Sequence, residues 1–175
     1  MKPLPILAAL AAAAALATPA AAQMKPATSA HVAQAVEACK AITSPTWIDK
    51  DALGGMDWYQ VRQRGNGNSG ARLYNAYEKR GNRAYLVFEH EDLKAKNCVV
   101  MARLEDTAAY GAMAQELAQG WGMPTAQDGF AYIWDGADFT IRMEPSGERD
   151  APNVRVAVKA KGAAPEAPEA IVTQD

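Results

Sequence analysis

Histidine and cysteine are both scarce in this chain, with two of each in 175 residues. The two histidines, His31 and His90, lie far apart, and no Cys-x-x-Cys pair occurs. A zinc-type site therefore has too few nitrogen and sulfur donors to build on. The chain also lacks a Gly-x-Ser-x-Gly elbow and a Walker loop, so neither an activated serine nor a phosphate cradle has its usual sequence frame. A cationic surplus is missing too: 18 basic residues face 20 acidic ones, for a formal net charge of -2. Without excess positive charge a protein cannot neutralise a phosphate backbone, which argues against nucleic acid as a partner. Past the N-terminal leader no apolar run approaches the ~20 residues that a membrane helix needs, so no transmembrane segment is expected in the mature chain.

What is present begins with that leader. Residues 1–22 have the three parts of a secretory signal peptide. Lys2 supplies the positive start, residues 4–16 an uncharged apolar stretch, and Pro19, Ala20, Ala21 and Ala22 the small residues before a cleavage point at Gln23. The stretch is short and rich in alanine, which disfavours a membrane anchor, and no cysteine at the cleavage point marks a lipoprotein. The leader is bacterial in style, and the expected location is the periplasm, or the medium if the protein is secreted. In that oxidising setting Cys39 and Cys98 are expected to form a disulfide. A bridge closing a loop of roughly 60 residues stabilises by about 4 kcal/mol in the loop-entropy model.

Between the leader and an Ala/Pro/Glu-biased tail at residues 161–175, expected to be disordered, residues 23–160 read as one α+β domain. Val32, Ala35, Val36, Cys39 and Ile42 recur at helical spacing, so residues 30–42 form a helix capped by Ser29 that turns Cys39 toward the core. Strands follow at 56–63, 71–78, 83–90 and 96–104. The hairpin around Lys79, Arg80, Gly81 and Asn82 would pair Tyr77 with Ala84 and Tyr74 with Val87. A five-residue connection, 91–95, then sets Leu86 beside Val100 and Cys98 on the apolar face.

A second helix, 107–119, starts at Asp106 and carries Tyr110, Met113, Leu117 and Trp121 as its stripe. Strands at 127–135 and 138–144 turn at Gly136, with Phe130, Tyr132 and Trp134 on one face. Residues 145–152 form a polar loop, and a last strand at 153–159 presents Val154, Val156 and Val158 to one side. The expected architecture is an antiparallel sheet of about seven strands with two helices on one face, in the order α-ββββ-α-βββ. This order admits a weak duplication of an α-plus-sheet unit, and a helix followed by a four-stranded sheet resembles cystatin-like folds, a likeness of fold alone.

The candidate chemistry is sparse. Glu89, His90, Glu91 and Asp92 form the densest polar cluster, but alternation sends Glu89 and His90 to opposite faces, and no second nitrogen or sulfur ligand is near. No metal or cofactor is therefore expected. Acids are plentiful (Asp57, Glu78, Glu89, Asp128, Asp135, Asp138, Glu144), yet nothing in their spacing selects the facing pair that a glycosidase needs. The candidate binding surface is the outer face of the first hairpin, where Arg72, Tyr74, Arg83 and Tyr85 fall together in the expected register, because exposed tyrosine and arginine serve protein and glycan recognition. The expected function is a non-catalytic binding or envelope-accessory role toward a protein or glycan partner. A hydrolase of envelope material and an inhibitor of a secreted enzyme are the alternatives.

Overall fold

The computed structural model describes residues 25–62 and 72–162. The leader, residues 63–71 of the glycine-rich loop, and residues 163–175 of the tail lie outside the described residues. Helix α1 spans Ser29–Ile42. Its cap is Thr28 rather than the expected Ser29. The Thr28 hydroxyl accepts from the His31 amide, and the His31 ring accepts from the Thr28 amide in return. Ser29 instead donates its hydroxyl to Glu116 on a later helix.

After a 3₁₀ turn at Asp51–Met56, the strands are β1 Trp58–Arg62, β2 Arg72–Lys79 and β3 Ala84–Val87. The connection after β3 is not a simple loop. It winds into a short helix, α2 His90–Ala95, and Lys96 closes it in the left-handed region. Strand β4 is Asn97–Arg103 and helix α3 is Ala109–Trp121. Strands β5 Ala126–Asp128, β6 Ala131–Asp135, β7 Phe139–Glu148 and β8 Ala151–Ala160 complete the elements of the described residues.

All eight strands form one antiparallel sheet in the order β1-β2-β3-β4-β8-β7-β6-β5. Each half of the chain thus contributes a long helix and a four-stranded meander, and the halves join where β4 pairs with β8. Exchanging the halves maps the strand order onto itself, a topological two-fold.

Three local expectations shift, each for a physical reason. In the first hairpin Tyr77 pairs with Leu86 instead of Ala84. The four-residue loop lies one position later than expected, because the Asn82 side chain accepts from the Ala84 amide and donates to His31 and Gln34 of α1. Partners slip by two residues, so every side chain keeps its face. The expected strand 127–135 folds back at Gly129 and Phe130, where Gly129 has φ +58°, making β5 and β6 a two-residue hairpin. The expected polar loop 145–152 is mostly strand: β7 and β8 stay paired to Glu148 and Ala151. Pro145 is tolerated because β6 has already turned away, so no ladder bond awaits its missing N–H. Gly147 has φ +77°, and a Cβ there would lie 2.5 Å from the Ala151 carbonyl oxygen, so the crossing requires glycine.

The core lies on one face. Leu86, Cys98, Val100, Val154, Val156 and Val158 are fully buried beneath α1, with Met143 and Ile141 continuing the layer outward. The β3–β4 register sets Leu86 beside Val100, as the pattern requires. Cys39 and Cys98 are bonded, both fully buried, with Cα atoms 5.4 Å apart. On the opposite face α2 covers the buried Val99. Asp92 there reaches Arg155 at 2.6 Å, and Arg155, Glu144, Arg142 and Asp128 continue as a chain of ion pairs across the halves.

Candidate functional site

The second half carries most of the clustered aromatic side chains, and their placement follows from two periodicities. Along α3 the helical repeat puts Tyr110, Met113, Leu117 and Trp121 on one stripe, and along β6 the alternation puts Tyr132 and Trp134 on the sheet's inner face. The two sets meet. Tyr110 stacks on Tyr132 with ring centroids 5.8 Å apart, Tyr132 lies 6.4 Å from Trp134, and Trp134 meets Trp121 edge-to-face at 5.4 Å. A continuous run of four rings therefore separates α3 from the sheet.

Hydrogen bonds lock both ends of this run. The Trp134 indole N–H donates to the Gly122 carbonyl at 2.8 Å, just past the helix end. The Tyr110 hydroxyl lies 2.6 Å from the Phe130 carbonyl oxygen and 3.0 Å from that of Met143, and its single proton is shared between them. Burial, then the neighbouring Tyr132 and Glu144, push the Tyr110 hydroxyl up to about 12.

Large rings beside small residues leave space. Hollows open along the run among the described residues, three of them of about 240 Å³ or more. The largest, of about 370 Å³, lies between α1, the end of α3 and the β6–β7 turn, lined by Glu37, Lys40, Trp121, Trp134, Asp138 and Phe139. A second, of about 290 Å³, sits over Tyr132 beside Ala114, Ala118, Met123 and Pro124. A third, of about 240 Å³, lies between Tyr110, Phe130, Pro145, Pro152 and Leu104. Met123 and Phe130 at their rims are 80% and 79% exposed, the most exposed large apolar side chains among the described residues. Phe130 is in the open because the Gly129 turn takes it off the strand, where alternation alone had put it in the core.

The largest hollow differs from the other two in its charges. Lys40 Nζ pairs with Glu37 at 2.7 Å and stands 5.9 Å from the centre of the Trp121 ring. Asp138 projects from the turn opposite. Just outside, the Lys161 ammonium pairs with Asp135 at 2.8 Å and the Lys161 amide donates to the Asp138 backbone carbonyl. The hydrogen bonds from Lys161 and Thr140 hold the Asp135 carboxyl below its ordinary range.

Of the four residues singled out on the first hairpin, Arg83 and Tyr85 have described side chains. Tyr85 lies on the outer face of β3, half-buried, with its hydroxyl pushed up by burial and by Glu78. Arg83 precedes the strand and donates to the Pro26 carbonyl at 3.1 Å. Arg72 sits opposite Arg62 where β2 begins, and the side chains of Arg72 and Tyr74 lie outside the described residues. In the polar cluster His90 is exposed at the start of α2, and Asp92 is turned toward Arg155. Among the described residues no group of three or more His, Cys, Asp or Glu side chains is placed to hold a metal ion. No helix there is long and apolar enough to cross a membrane.

The hollows themselves had no signature in the pattern. Tyr110, Trp121, Tyr132 and Trp134 all look like core positions, and most of their area is indeed covered. The available signal was compositional: Ala114, Ala118 and Gly120 supply little volume on the helix that faces the largest rings. Comparison with protein-family models, with curated proteins and with solved structures finds no match.

Proposed function

We propose that this is an exported periplasmic protein with a non-catalytic binding role, and that its binding surface is the ring-lined side of the second half. In this reading residues 1–22 are removed on export, and residues 23–160 fold as a single domain. The buried Cys39–Cys98 bridge supports an oxidising compartment, where such bonds persist. The observation that carries the binding role is the run Trp121–Trp134–Tyr132–Tyr110 with three hollows opening along it. Aromatic rings in partly open hollows with a few charged groups at the rim are what ligand and partner sites are built from. The hairpin face that carries Tyr85 ranks below it, because Arg83 is engaged with Pro26.

The test has two parts. Protein recovered from the periplasm is expected to begin at Gln23 by mass spectrometry, and a chain retaining residues 1–22 there overturns the export reading. Fractions of envelope extract are then screened for a rise in melting temperature of the purified protein. A fraction that protects the wild type, leaves Trp121→Ala unprotected, and yields its bound component unchanged in mass supports binding without turnover. A component recovered chemically altered favours the hydrolase reading instead.

A further inference from the structure

We infer that the largest hollow is a subsite for a neutral sugar ring. This rests on the binding reading above and names its ligand class. Trp121 is partly exposed and offers a ring face at the hollow, with the buried Trp134 and Ile141 and the half-buried Phe139 below it. Two carboxylates and one ammonium stand around the opening: Glu37, Asp138 and Lys40.

A cationic ligand at the Trp121 face would meet the like charge of Lys40, whose ammonium is 5.9 Å from the ring centre and paired with Glu37, a repulsion that an uncharged ring does not meet. An anionic ligand would meet two carboxylates, Glu37 and Asp138, with only Lys40 to offset them inside the hollow, since Asp135 on the neighbouring turn is already paired with Lys161. A purely apolar ligand would displace water from Glu37, Asp138 and Lys40 and offer these charged groups no hydrogen bond in its place. A polyhydroxylated, uncharged ring meets all three constraints. Its hydroxyls donate to Glu37 and Asp138 and accept from Lys40. Its C–H face, slightly positive, lies against the negative face of the Trp121 ring. A volume of about 370 Å³ is at the small end of ligand sites, suited to one or two sugar rings rather than to a folded partner.

The site also joins the two halves of the fold. Glu37 and Lys40 come from α1, held in place three residues apart on a helix that the disulfide anchors through Cys39, whereas Trp121 and Asp138 come from the second half. The rigid half thus presents Glu37 and Lys40, and the open half presents the stacking platform and the second carboxylate, Asp138.

The experiment is titration of the oxidised protein with two neutral trisaccharides, chitotriose and maltotriose, followed by tryptophan emission and by saturation-transfer NMR. Glucuronate and choline serve as the anionic and cationic arms. At least one trisaccharide is expected to bind saturably below about 10 mM, with glucuronate and choline inactive. Trp121→Ala is expected to weaken binding by about tenfold or more, the loss of one stacking contact. Because Trp121 also packs on Trp134, Glu37→Gln and Asp138→Asn are the decisive variants. Both side chains are exposed, and each substitution is expected to weaken binding about threefold to tenfold while the melting temperature stays unchanged. Absence of saturable binding by either sugar, binding by choline or glucuronate in their place, or wild-type affinity in both carboxylate variants overturns the assignment. If the sugars fail while an envelope fraction still protects the wild type and not Trp121→Ala, the sugar assignment falls and the binding reading stands. If both fail, both fall.

Discussion

The two halves of the sheet share one topology and use it differently. In the first, α1 lies directly on β3, β4 and β8. Val32, Ala35, Val36 and Cys39 are fully buried against it, and small side chains at Ala35 and Ala38 let the helix come close. In the second, α3 buries Met113, Ala114 and Leu117 but meets β6 through aromatic rings, with a hydrogen bond at each of its ends. The same helix-on-sheet arrangement therefore gives a sealed, covalently stapled core on one side and a series of openings on the other. The lesson is that side-chain size at a helix–sheet contact decides between stability and a site. Small residues allow close approach and exclude water, whereas large rings beside alanine and glycine hold the surfaces apart.

That contrast can be broken by substitution, starting with the staple. Replacing both Cys39 and Cys98 by Ser is expected to lower stability by about 4 kcal/mol in urea unfolding. A loss under about 1 kcal/mol would mean that α1 is held by packing alone. A matched pair then compares the halves directly. Ala35→Leu adds volume under the sealed helix and is expected to cost about 1–3 kcal/mol. Ala118→Leu adds the same atoms to α3 at the second hollow and is expected to cost no more than about 0.5 kcal/mol. Equal costs would show that the second half is as closely packed as the first.

Smaller effects sharpen the picture of how α3 is fastened. Tyr110→Phe keeps the ring stack and removes the hydroxyl, with an expected cost of about 1 kcal/mol near neutral pH. It also changes the alkaline behaviour. Burial raises the folded Tyr110 hydroxyl to about 12, above the ordinary value of 10.0, so the folded state holds its proton where the unfolded chain has lost it. The contribution is complete below pH 10 and is lost as pH rises through 12. The wild type is thus expected to lose stability over that window more steeply than Tyr110→Phe, and parallel curves would show that the hydroxyl is not held as described. Smallest of all, Phe130→Ala at the exposed hairpin tip is expected to change stability by less than about 0.5 kcal/mol. Any larger loss would place Phe130 in the core rather than at a rim.

Much of this was legible in the residues. The valine alternation of Val154, Val156 and Val158 and the helical spacing through Cys39 both point inward, and together they put the two cysteines on the same core. The stripe Tyr110–Met113–Leu117–Trp121 named the buried side of α3 correctly. What could not be read was where the chain turns when a turn depends on distant contacts. Asn82 moves the first loop because α1 receives its side chain, and α2 forms where Asp92 finds Arg155 from a strand far along the chain. The candidate site escaped for a related reason. Pattern assigns a ring to a face but not to a depth, and Phe130 left its face altogether at Gly129.

Taken alone, the sequence determined the α+β class, the inward faces of α1, α3, β4 and β8, and the disulfide, because side-chain periods of 2 and 3.6 are local properties of the backbone. Only the tertiary structure decided that β4 pairs with β8 to merge two meanders into one sheet, and that Glu37 and Lys40 of one half stand over Trp121 of the other. Those are contacts between segments far apart in the chain, set by how volumes fill the space between packed surfaces, and no local period encodes them.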